Sequence, residues 1–387
     1  MNIIVFTHSF LASESMPRFA SMIIEGMQQQ GHTVESWTAR PFFYKLSVPQ
    51  RFKKWLGYVD QFIVFPLQVK ARIKKLNPET LFVFSDQALG PWVPLVAHRP
   101  HVIHVHDFMA LCSALGEYPQ NPTGWSGKHY QALIRRGFAQ GKNFISVSQN
   151  TQTDLARFLP APPPLSVVIY NGLNFPFYRM SREQSLASLA NLGISIPTED
   201  FLIHVGGNQW YKNRLGVLEL YEAYVNQVVQ ASPLWMVGPP PTAAMQEVLD
   251  RIGTSGSIIF LSGITNAQVC AAYSLASLLI FPSIAEGFGW PIAEAMACGC
   301  LVLTTNEAPM TEVGGDAAFY MVNKSVNNTS AWAATAAKII EDVLALSQQA
   351  TQQQREKGFA QAAKFDSQQT INQYEQFYQQ LVPGNKS

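Results

Sequence analysis

The residues best suited to chemistry form a glycine loop and the helix predicted after it. Two carboxylates, Glu286 and Glu294, are separated by seven residues, and Gly287 and Gly289 follow the first of them. An apolar run precedes this loop and Pro291 follows it, which predicts a strand, a loop and a helix that begins near the proline. Amides at such a helix N-terminus bind anionic or phosphorylated ligands. The alternative is that the carboxylates only cap the helix, although a cap needs neither glycine.

A second loop of the same kind lies earlier in the chain. Phe201–Val205 is an apolar run, and Gly206, Asn208, Lys212 and Arg214 follow it before the next predicted helix. A strand, a glycine loop, a cation and a helix N-terminus together favour phosphate binding. The alternative is that Lys212 is an ordinary lysine in water.

Two histidines close a predicted strand in the first half of the chain. His104 and His106 alternate with Ile103 and Val105, so both histidines face one side, and Asp107 follows them. A residue at the carboxyl end of a parallel strand points towards the ligand crevice of the sheet. The alternatives are hydrogen-bonded residues at a strand end, or a metal site made by two His and an Asp.

Several segments resemble glycosyltransferase family 4. FPSIAEGFGWPIAEAMACG, followed by TEVGGDAA, is similar to the nucleotide-sugar signature of these retaining GT-B enzymes, and HVHDF and FISVSQNTQTDL are similar to segments of their first domain. The resemblance implies an α/β fold of the GT-B type, in which two doubly wound Rossmann-like domains face each other across a cleft. It implies an acceptor-side domain over 1–172, with a C-terminal helix over 368–387 packing back on it. The nucleotide-sugar domain would span 173–367.

The resemblance also assigns roles to the candidate residues. The catalytic candidates are those it places at the donor sugar: His106, Asp107 and Glu286. The donor-binding candidates lie in the two glycine loops and the helix after the second: Gly206, Asn208, Lys212, Arg214, Gly287, Phe288, Gly289 and Glu294. Glu286 would hold sugar hydroxyls, Glu294 would hold ribose hydroxyls, and Lys212 with the loop amides would hold the diphosphate.

One position departs from the family pattern. The family usually has an arginine where this chain has Gly207, and Arg214 or Asn208 can compensate for it. The implied reaction is transfer with retention by a front-face mechanism, in which Lys212 and the loop amides stabilise the leaving phosphate. The nucleotide diphosphosugar is then a co-substrate, and we expect no other cofactor and no metal.

The expected activity is that of a hexosyltransferase. It would use a UDP- or GDP-sugar, and its acceptor would be a glycan, a lipid-linked sugar or a small molecule, in cell-surface polysaccharide assembly. Three alternatives remain. One is a catalytically silent subunit that binds a nucleotide sugar, another is a related GT-B epimerase or hydrolase, and the third is a membrane scaffold based on residues 40–75.

Composition limits the class of protein. The chain has 387 residues, of which 47% are hydrophobic and 14% charged, so it can bury the cores of two domains and is not disordered as a whole. The net charge of +1 argues against a nucleic-acid partner. Four irregularly spaced cysteines do not form a zinc motif and favour a reducing cytoplasm. We expect no cleavable signal and no membrane span.

The segment 40–75 differs from the rest in composition. It contains nine lysines and arginines but only one acidic residue, Asp60, and aromatic and aliphatic residues lie between them. Such a surface can lie on anionic lipid, which would place the protein at the inner face of the cell membrane. The alternative is a pair of ordinary helices with apolar faces in the core and lysines in water.

Short apolar runs between turn residues predict the strands of both domains. In the first domain they are 2–7, 33–38, 80–85, 101–106, 143–148 and 167–170. In the second domain they are 201–205, 234–237, 258–261, 279–281 and 301–304.

Overall fold

The computed structural model describes residues 1–8, 15–197, 200–324 and 328–382. The chain forms two compact units, Met1–Asn174 with Ser367–Ser387, and Phe175–Asp366. The sequence predicts the first boundary after residue 172. Each unit is built on a sheet of six parallel strands with helical crossovers, so the architecture is the expected two-domain GT-B fold.

The strands are nearly all short and apolar. Those of the first sheet are β1 Asn2–Phe6, β2 Thr33–Trp37, β3 Leu81–Phe84, β4 His101–Val105, β5 Asn143–Ser146 and β6 Leu165–Val168. Those of the second sheet are β7 Leu202–Val205, β8 Leu234–Val237, β9 Ile258–Leu261, β10 Leu278–Phe281, β11 Leu301–Thr305 and β12 Phe319–Met321.

The helices follow the same division. The first unit contains α1 Ser15–Gln29, α2 Gln50–Val59, α3 Phe65–Ile73, α4 Met109–Leu115, α5 Trp125–Phe138, α6 Gln149–Phe158 and, from the end of the chain, α15 Ser367–Leu381. The second contains α7 Arg182–Leu189, α8 Arg214–Gln227, α9 Ala243–Ile252, α10 Asn266–Leu275, α11 Trp290–Ala297, α12 Met310–Gly314, α13 Thr329–Leu344 and α14 Gln348–Ala362. No helix in these described ranges is long and apolar enough to cross a bilayer.

The first sheet has the strand order β2-β1-β3-β4-β5-β6. One face packs on α3 and a 3-10 segment, Gln87–Leu95, around stacked rings of Phe6 and Phe84 whose centroids are 4.6 Å apart. The other face packs on α1 and α15, where Phe19 and Tyr374 are buried. Because both faces are covered, the strands are continuous apolar runs rather than alternating ones.

The second sheet has the order β12-β11-β10-β7-β8-β9. The chain starts in the middle at β7, adds β8 and β9 on one side, and returns to place β10 next to β7. Ligands bind at the carboxyl ends of strands where the order reverses in this way. The two predicted glycine loops follow β7 and β10, so they lie at this switch point.

Several elements were not predicted from the sequence. Among them are α4, α7, α9, α12, β12 and the 3-10 segment Gln87–Leu95. The 3-10 segment contains Pro91 and Pro94, which interrupt the helical pattern that a periodicity search detects. β12 has only three residues and depends on its pairing with β11. The sequence also predicts a polar loop over 9–18, which lies partly outside the described residues, and a helix from Phe19, whereas α1 begins at Ser15.

Candidate active site

The two glycine loops of the second unit meet through an ion pair. Lys212 Nζ donates to Glu286 Oε1 at 2.7 Å. Lys212 ends a 3-10 turn, Trp210–Lys212, that follows β7, and its Nζ lies 5.3 Å from the ring centroid of Phe281 at the end of β10. The structure therefore brings together two of the predicted residues that are far apart in sequence.

The backbone of the first loop is held in an unusual conformation. Asn213 has a φ of 52°, and its Nδ2 donates to the carbonyl of Pro282 at 3.0 Å, which ties this loop to the end of β10. Asn tolerates the left-handed region better than most side chains. At Gly206 an added Cβ would lie 2.9 Å from His204 Nε2, so a side chain there would displace a buried histidine. Both features fix Lys212 at the sheet edge.

The second loop opens helix α11. Gly289 is the N-cap with a φ of 99°, a region that favours glycine, and Pro291 lies in the first turn as predicted. Phe288 is buried, and its ring centroid is 5.3 Å from that of Phe365. The sequence also predicts a left-handed cap at Gly299, and this glycine follows the helix with a φ of 76°.

Glu294 occupies the second turn of this helix. Tyr273 donates its hydroxyl to Glu294 Oε2 at 3.3 Å. Burial raises the pKa of Glu294 to about 7, although the Tyr273 hydrogen bond and the charge of Lys212 oppose the shift. The carboxyl group thus titrates near neutral pH. As a carboxylate it can accept hydrogen bonds from a pair of neighbouring hydroxyl groups.

Arg214 and Asn208 also lie together. Arg214 is buried, and its NH1 donates to Asn208 Oδ1 and, at 2.8 Å, to the carbonyl of Pro239. Among the described residues, its Nε and NH2 have no partner. Burial lowers the pKa of Arg214. The arginine supports the turn after β8, and its other two nitrogens are buried without a partner among the described residues.

Two further polar groups at this switch point were not predicted. His204 lies in β7, donates from Nδ1 to the Ile280 carbonyl at 2.9 Å, and has no partner for Nε2 within the described chain. Burial lowers the pKa of His204 to about 3, so this imidazole is neutral. Ser283, after β10, is also buried with its hydroxyl unpartnered by the described residues. A polar residue inside an apolar strand was the signal for His204.

The predicted residues of the first unit are at the end of β4. His106 is buried, its Nε2 donates to the Ser85 carbonyl at 2.9 Å, and its ring lies edge-on to Phe19 at 4.3 Å between centroids. Burial lowers the pKa of His106, which leaves it neutral with Nδ1 as an acceptor. Asp107 Oδ1 accepts from the amide of Met109 at 3.0 Å and so begins α4.

His104 faces the same side of the sheet but belongs to the core. Its Nε2 is 2.6 Å from the hydroxyl of Tyr378 in α15, and burial lowers its pKa well below the ordinary value. The alternative of a hydrogen-bonded strand residue therefore holds for His104.

A hydrogen-bonded pair that sequence reasoning missed lies beside His106. His8 follows β1 and Asp86 follows β3, which are adjacent strands at the switch point of the first sheet, and His8 Nε2 is 2.7 Å from Asp86 Oδ2. Burial raises the pKa of Asp86, but the hydrogen bonds with His8 and with the Ala88 amide lower it further, so it falls below its usual value. The available signal was a polar residue two positions beyond each strand.

Among the residues that the structure describes, no three or more His, Cys, Asp or Glu side chains are grouped to hold a metal. The expectation of a metal-free reaction stays a prediction.

Two family models match the chain. The model of Glycosyltransferase Family 4 matches residues 16–175, and the model of Glycosyl transferases group 1 matches residues 199–342. Together they cover most of both units.

A curated relative is the O-antigen chain mannosyltransferase B of Escherichia coli. It is 24% identical over 206 residues, which are 53% of this chain and 54% of that protein. The chain thus matches about half the length of this relative.

Solved structures share the fold. Sucrose-phosphate synthase of Thermosynechococcus elongatus has a TM-score of 0.73 at 18% identity, and the match covers 99% of this chain and 100% of that one. Anabaena HepE in complex with UDP and glucose has a TM-score of 0.68 at 19% identity, with 97% and 99% covered. At these identities the likeness concerns the fold alone.

Proposed function

We propose, because this chain belongs to glycosyltransferase family 4, that it transfers a sugar from a nucleotide diphosphosugar to an acceptor with retention of configuration. The observation that carries the proposal is the Lys212–Glu286 pair at the switch point of the second sheet, with Glu294 in the helix that follows. A cation, loop amides at a helix N-terminus and a diol-binding carboxylate are the groups that a nucleotide diphosphosugar requires.

Each group has a separate task in this proposal. Lys212 and the amides of the loop 287–289 bind the diphosphate and stabilise the charge that develops on the leaving phosphate. Glu286 accepts hydrogen bonds from the sugar hydroxyls, and Glu294 accepts them from the ribose. No metal or other cofactor is proposed. His106 is proposed to contact the donor sugar through Nδ1, and His106→Ala would then lower kcat/KM.

The relatives support a donor and acceptor class. The Escherichia coli relative is named for mannosyl transfer to an O-antigen chain, and HepE was solved with UDP and glucose. For this chain we therefore propose a UDP- or GDP-sugar as the donor and a cell-surface glycan, free or lipid-linked, as the acceptor. The base and the sugar are to be identified by experiment.

Calorimetric titration with UDP, GDP and ADP tests the donor site. We expect one nucleotide to bind, and both Glu294→Ala and Lys212→Ala to weaken it by at least tenfold, which is about 1.4 kcal/mol. Transfer from the matching radiolabelled nucleotide sugar to glycan acceptors then tests the reaction, and the anomeric configuration of the product tests retention. If no nucleotide binds, or if both variants bind as well as the wild type, the proposed site is wrong.

A catalytically silent binding subunit is the second candidate, and Gly207 favours it because the family's arginine is absent there. Nucleotide binding without transfer or hydrolysis of any donor would support this candidate. Release of free sugar without an acceptor would instead indicate a hydrolase.

A further inference from the structure

One surface of the first unit is strongly basic. Residues 40–75 contain nine of the 27 lysines and arginines of the chain, and all except the half-buried Lys53 are exposed. Among the described residues, only Arg72 of this group forms an ion pair, with Glu35. This positive charge is therefore largely uncompensated by the protein itself.

The single acidic residue of the segment does not reduce this charge at the surface. Asp60 is buried, and its carboxylate accepts from the backbone amides of Phe42, Phe43 and Tyr44 at 3.0, 2.9 and 2.9 Å. Asp60 thus fastens the turn that contains Phe42 to the end of α2. The turn and the helix are held together as one surface.

Large apolar side chains project from the same segment. Helices α2 and α3 are joined by a π turn, Asp60–Val64, with helical backbone angles at both junctions, so that 50–73 is continuous helix. Four exposed apolar residues are spaced as on one face of this helix: Phe52, Trp55, Ile63 and Leu67. Phe42 and Leu46 flank the turn that precedes the helix, and all six side chains are between 47% and 67% exposed. We call these residues, with the lysines and arginines of 40–75, the basic aromatic face.

The opposite side of this helix is already packed. Tyr58 stacks on Tyr130 of α5 with centroids 6.1 Å apart, and Phe65 lies 4.5 Å from the Trp92 ring in the core. The core of the first unit packs against this inner side of the helix. The outer apolar residues remain about half exposed, although Trp55 lies edge-on to Tyr58 with ring centroids 5.9 Å apart, and a row of exposed side chains of this size is unusual.

We propose that the basic aromatic face docks on the surface of an anionic lipid membrane. Lysines attract acidic headgroups, while Trp55 and the aliphatic side chains enter the boundary between headgroups and acyl chains. A second copy would bring the same positive charge against this face, and lysine is depleted at protein interfaces. A nucleic acid would match the charge but would leave the aliphatic side chains in water. Of these three occupants, only the lipid surface satisfies both features, and this inference stands independently of the sugar transfer.

Vesicle co-sedimentation of the full chain tests the proposal. We expect the protein to pellet with vesicles of phosphatidylcholine containing about 30% phosphatidylglycerol, and not with phosphatidylcholine alone. Raising the salt concentration should reduce pelleting, since the attraction is screened. Charge reversal of Lys70, Lys74 and Lys75 to Glu should lower the partition coefficient by more than about tenfold.

Two further variants test the apolar contribution to vesicle binding and the location of the charges that contribute to it. Phe52→Ser with Trp55→Ser keeps the charge and should also reduce pelleting, because the apolar contact is lost. The matched control reverses three exposed cations of the second unit to Glu, Arg182, Lys357 and Lys364, which changes the net charge equally, and it should pellet like the wild type. The proposal is overturned if the protein pellets equally with both types of vesicle. It is also overturned if the control variant loses as much pelleting as the variant with Lys70, Lys74 and Lys75 reversed. A dimer in sedimentation velocity that Trp55→Ser dissociates overturns it too, because a second copy then covers the face.

Discussion

The ion pair between Lys212 and Glu286 is the central feature of the site at the scale of single residues. The two side chains are 16% and 7% exposed, so both charges have lost most of their hydration. Attraction between the partners returns this cost only in part, which makes such a pair a weak source of stability. A diphosphate that enters the loop can compete with Glu286 for the ammonium group. The pair therefore keeps Lys212 in place while no ligand is bound.

Replacing Lys212 by Ala should lower both the stability of the protein and its affinity for the nucleotide, and a double variant separates the two effects. Glu286 is then left nearly buried without its cation, and we expect the free energy of unfolding to fall by about 2 kcal/mol, less than for a fully buried pair. Urea unfolding measures this. In Lys212→Met with Glu286→Gln no charge is stranded, so stability should largely return while nucleotide binding stays weak. Recovery of binding in the double variant would contradict the assignment of Lys212 to the diphosphate.

Donor affinity should depend on pH through Glu294. Its pKa of about 7 means that the carboxyl group gains a proton as the pH falls below neutral, and a protonated carboxyl binds a diol less well. The Kd of UDP-glucose or GDP-mannose, whose diphosphates do not titrate in this range, should rise about tenfold from pH 8 to pH 6. Calorimetry at each pH measures this change. Glu294→Gln should bind more weakly and with little pH dependence, and a slope retained in that variant would assign the titration to another group.

At the scale of elements, α11 and the loop before it position three parts of the proposed donor site. The loop presents amides, the helix begins at Gly289, and Glu294 lies one turn further along. The neighbouring helix α10 supplies Tyr273 as the hydrogen-bond partner of Glu294. Since α11 is short, its direction depends on the left-handed start at Gly289.

Gly289→Ala adds only one methyl group, but we expect it to lower both the stability of the protein and its affinity for the nucleotide. The added Cβ would have space, since its nearest neighbour is Ile292 Cδ1 at 3.4 Å, but the φ of 99° is strained for alanine. We expect the free energy of unfolding to fall by about 1–2 kcal/mol and nucleotide affinity to fall at least tenfold. Gly193→Ala is the matched control, with a φ of 64° and open space around it. It should lose similar stability in urea and keep its affinity, and equal affinities in both variants would refute the role of the loop.

At the scale of the whole molecule, the end of the chain completes the first unit. Helix α15 is assigned with Met1–Asn174, and Tyr374 packs against His104 with ring centroids 4.8 Å apart. The core of the first unit is therefore not complete until the last helix has been made. The second unit, Phe175–Asp366, is continuous in sequence.

Tyr374→Ala should destabilise the first unit selectively. The side chain is fully buried, and we expect a loss of about 3–5 kcal/mol, which would move the unfolding transition of this unit to lower urea. Hydrogen exchange followed by mass spectrometry assigns the effect to β1–β6 or β7–β12. Tyr374→Phe is the control, because among the described residues the hydroxyl has no partner, and it should cost little. Equal destabilisation of both sheets would contradict the division.

Much of the fold was predictable from local patterns. The sequence predicts helices over 149–158 and 266–275, and α6 and α10 have these bounds, as β8 and β9 have theirs. Each of these elements has a clear apolar pattern or an N-cap residue such as Ser148 or Thr265. β12 and the 3-10 segment that contains Trp92 lack such a signal, because β12 depends on its pairing with β11 and the prolines of the 3-10 segment conceal a buried stretch. Helices α7 and α9 were missed although Ser181 and Thr242 cap them.

The sequence by itself determined the family, the two sheets and the glycine loops, since these depend on short motifs and local periodicity. The tertiary structure alone decided which side chains meet. It joined Lys212 to Glu286, placed His104 in the core, and put His8 beside Asp86. The physical reason is that parallel strands distant in sequence become neighbours, and burial between them then sets hydrogen bonds and pKa values that no local pattern contains.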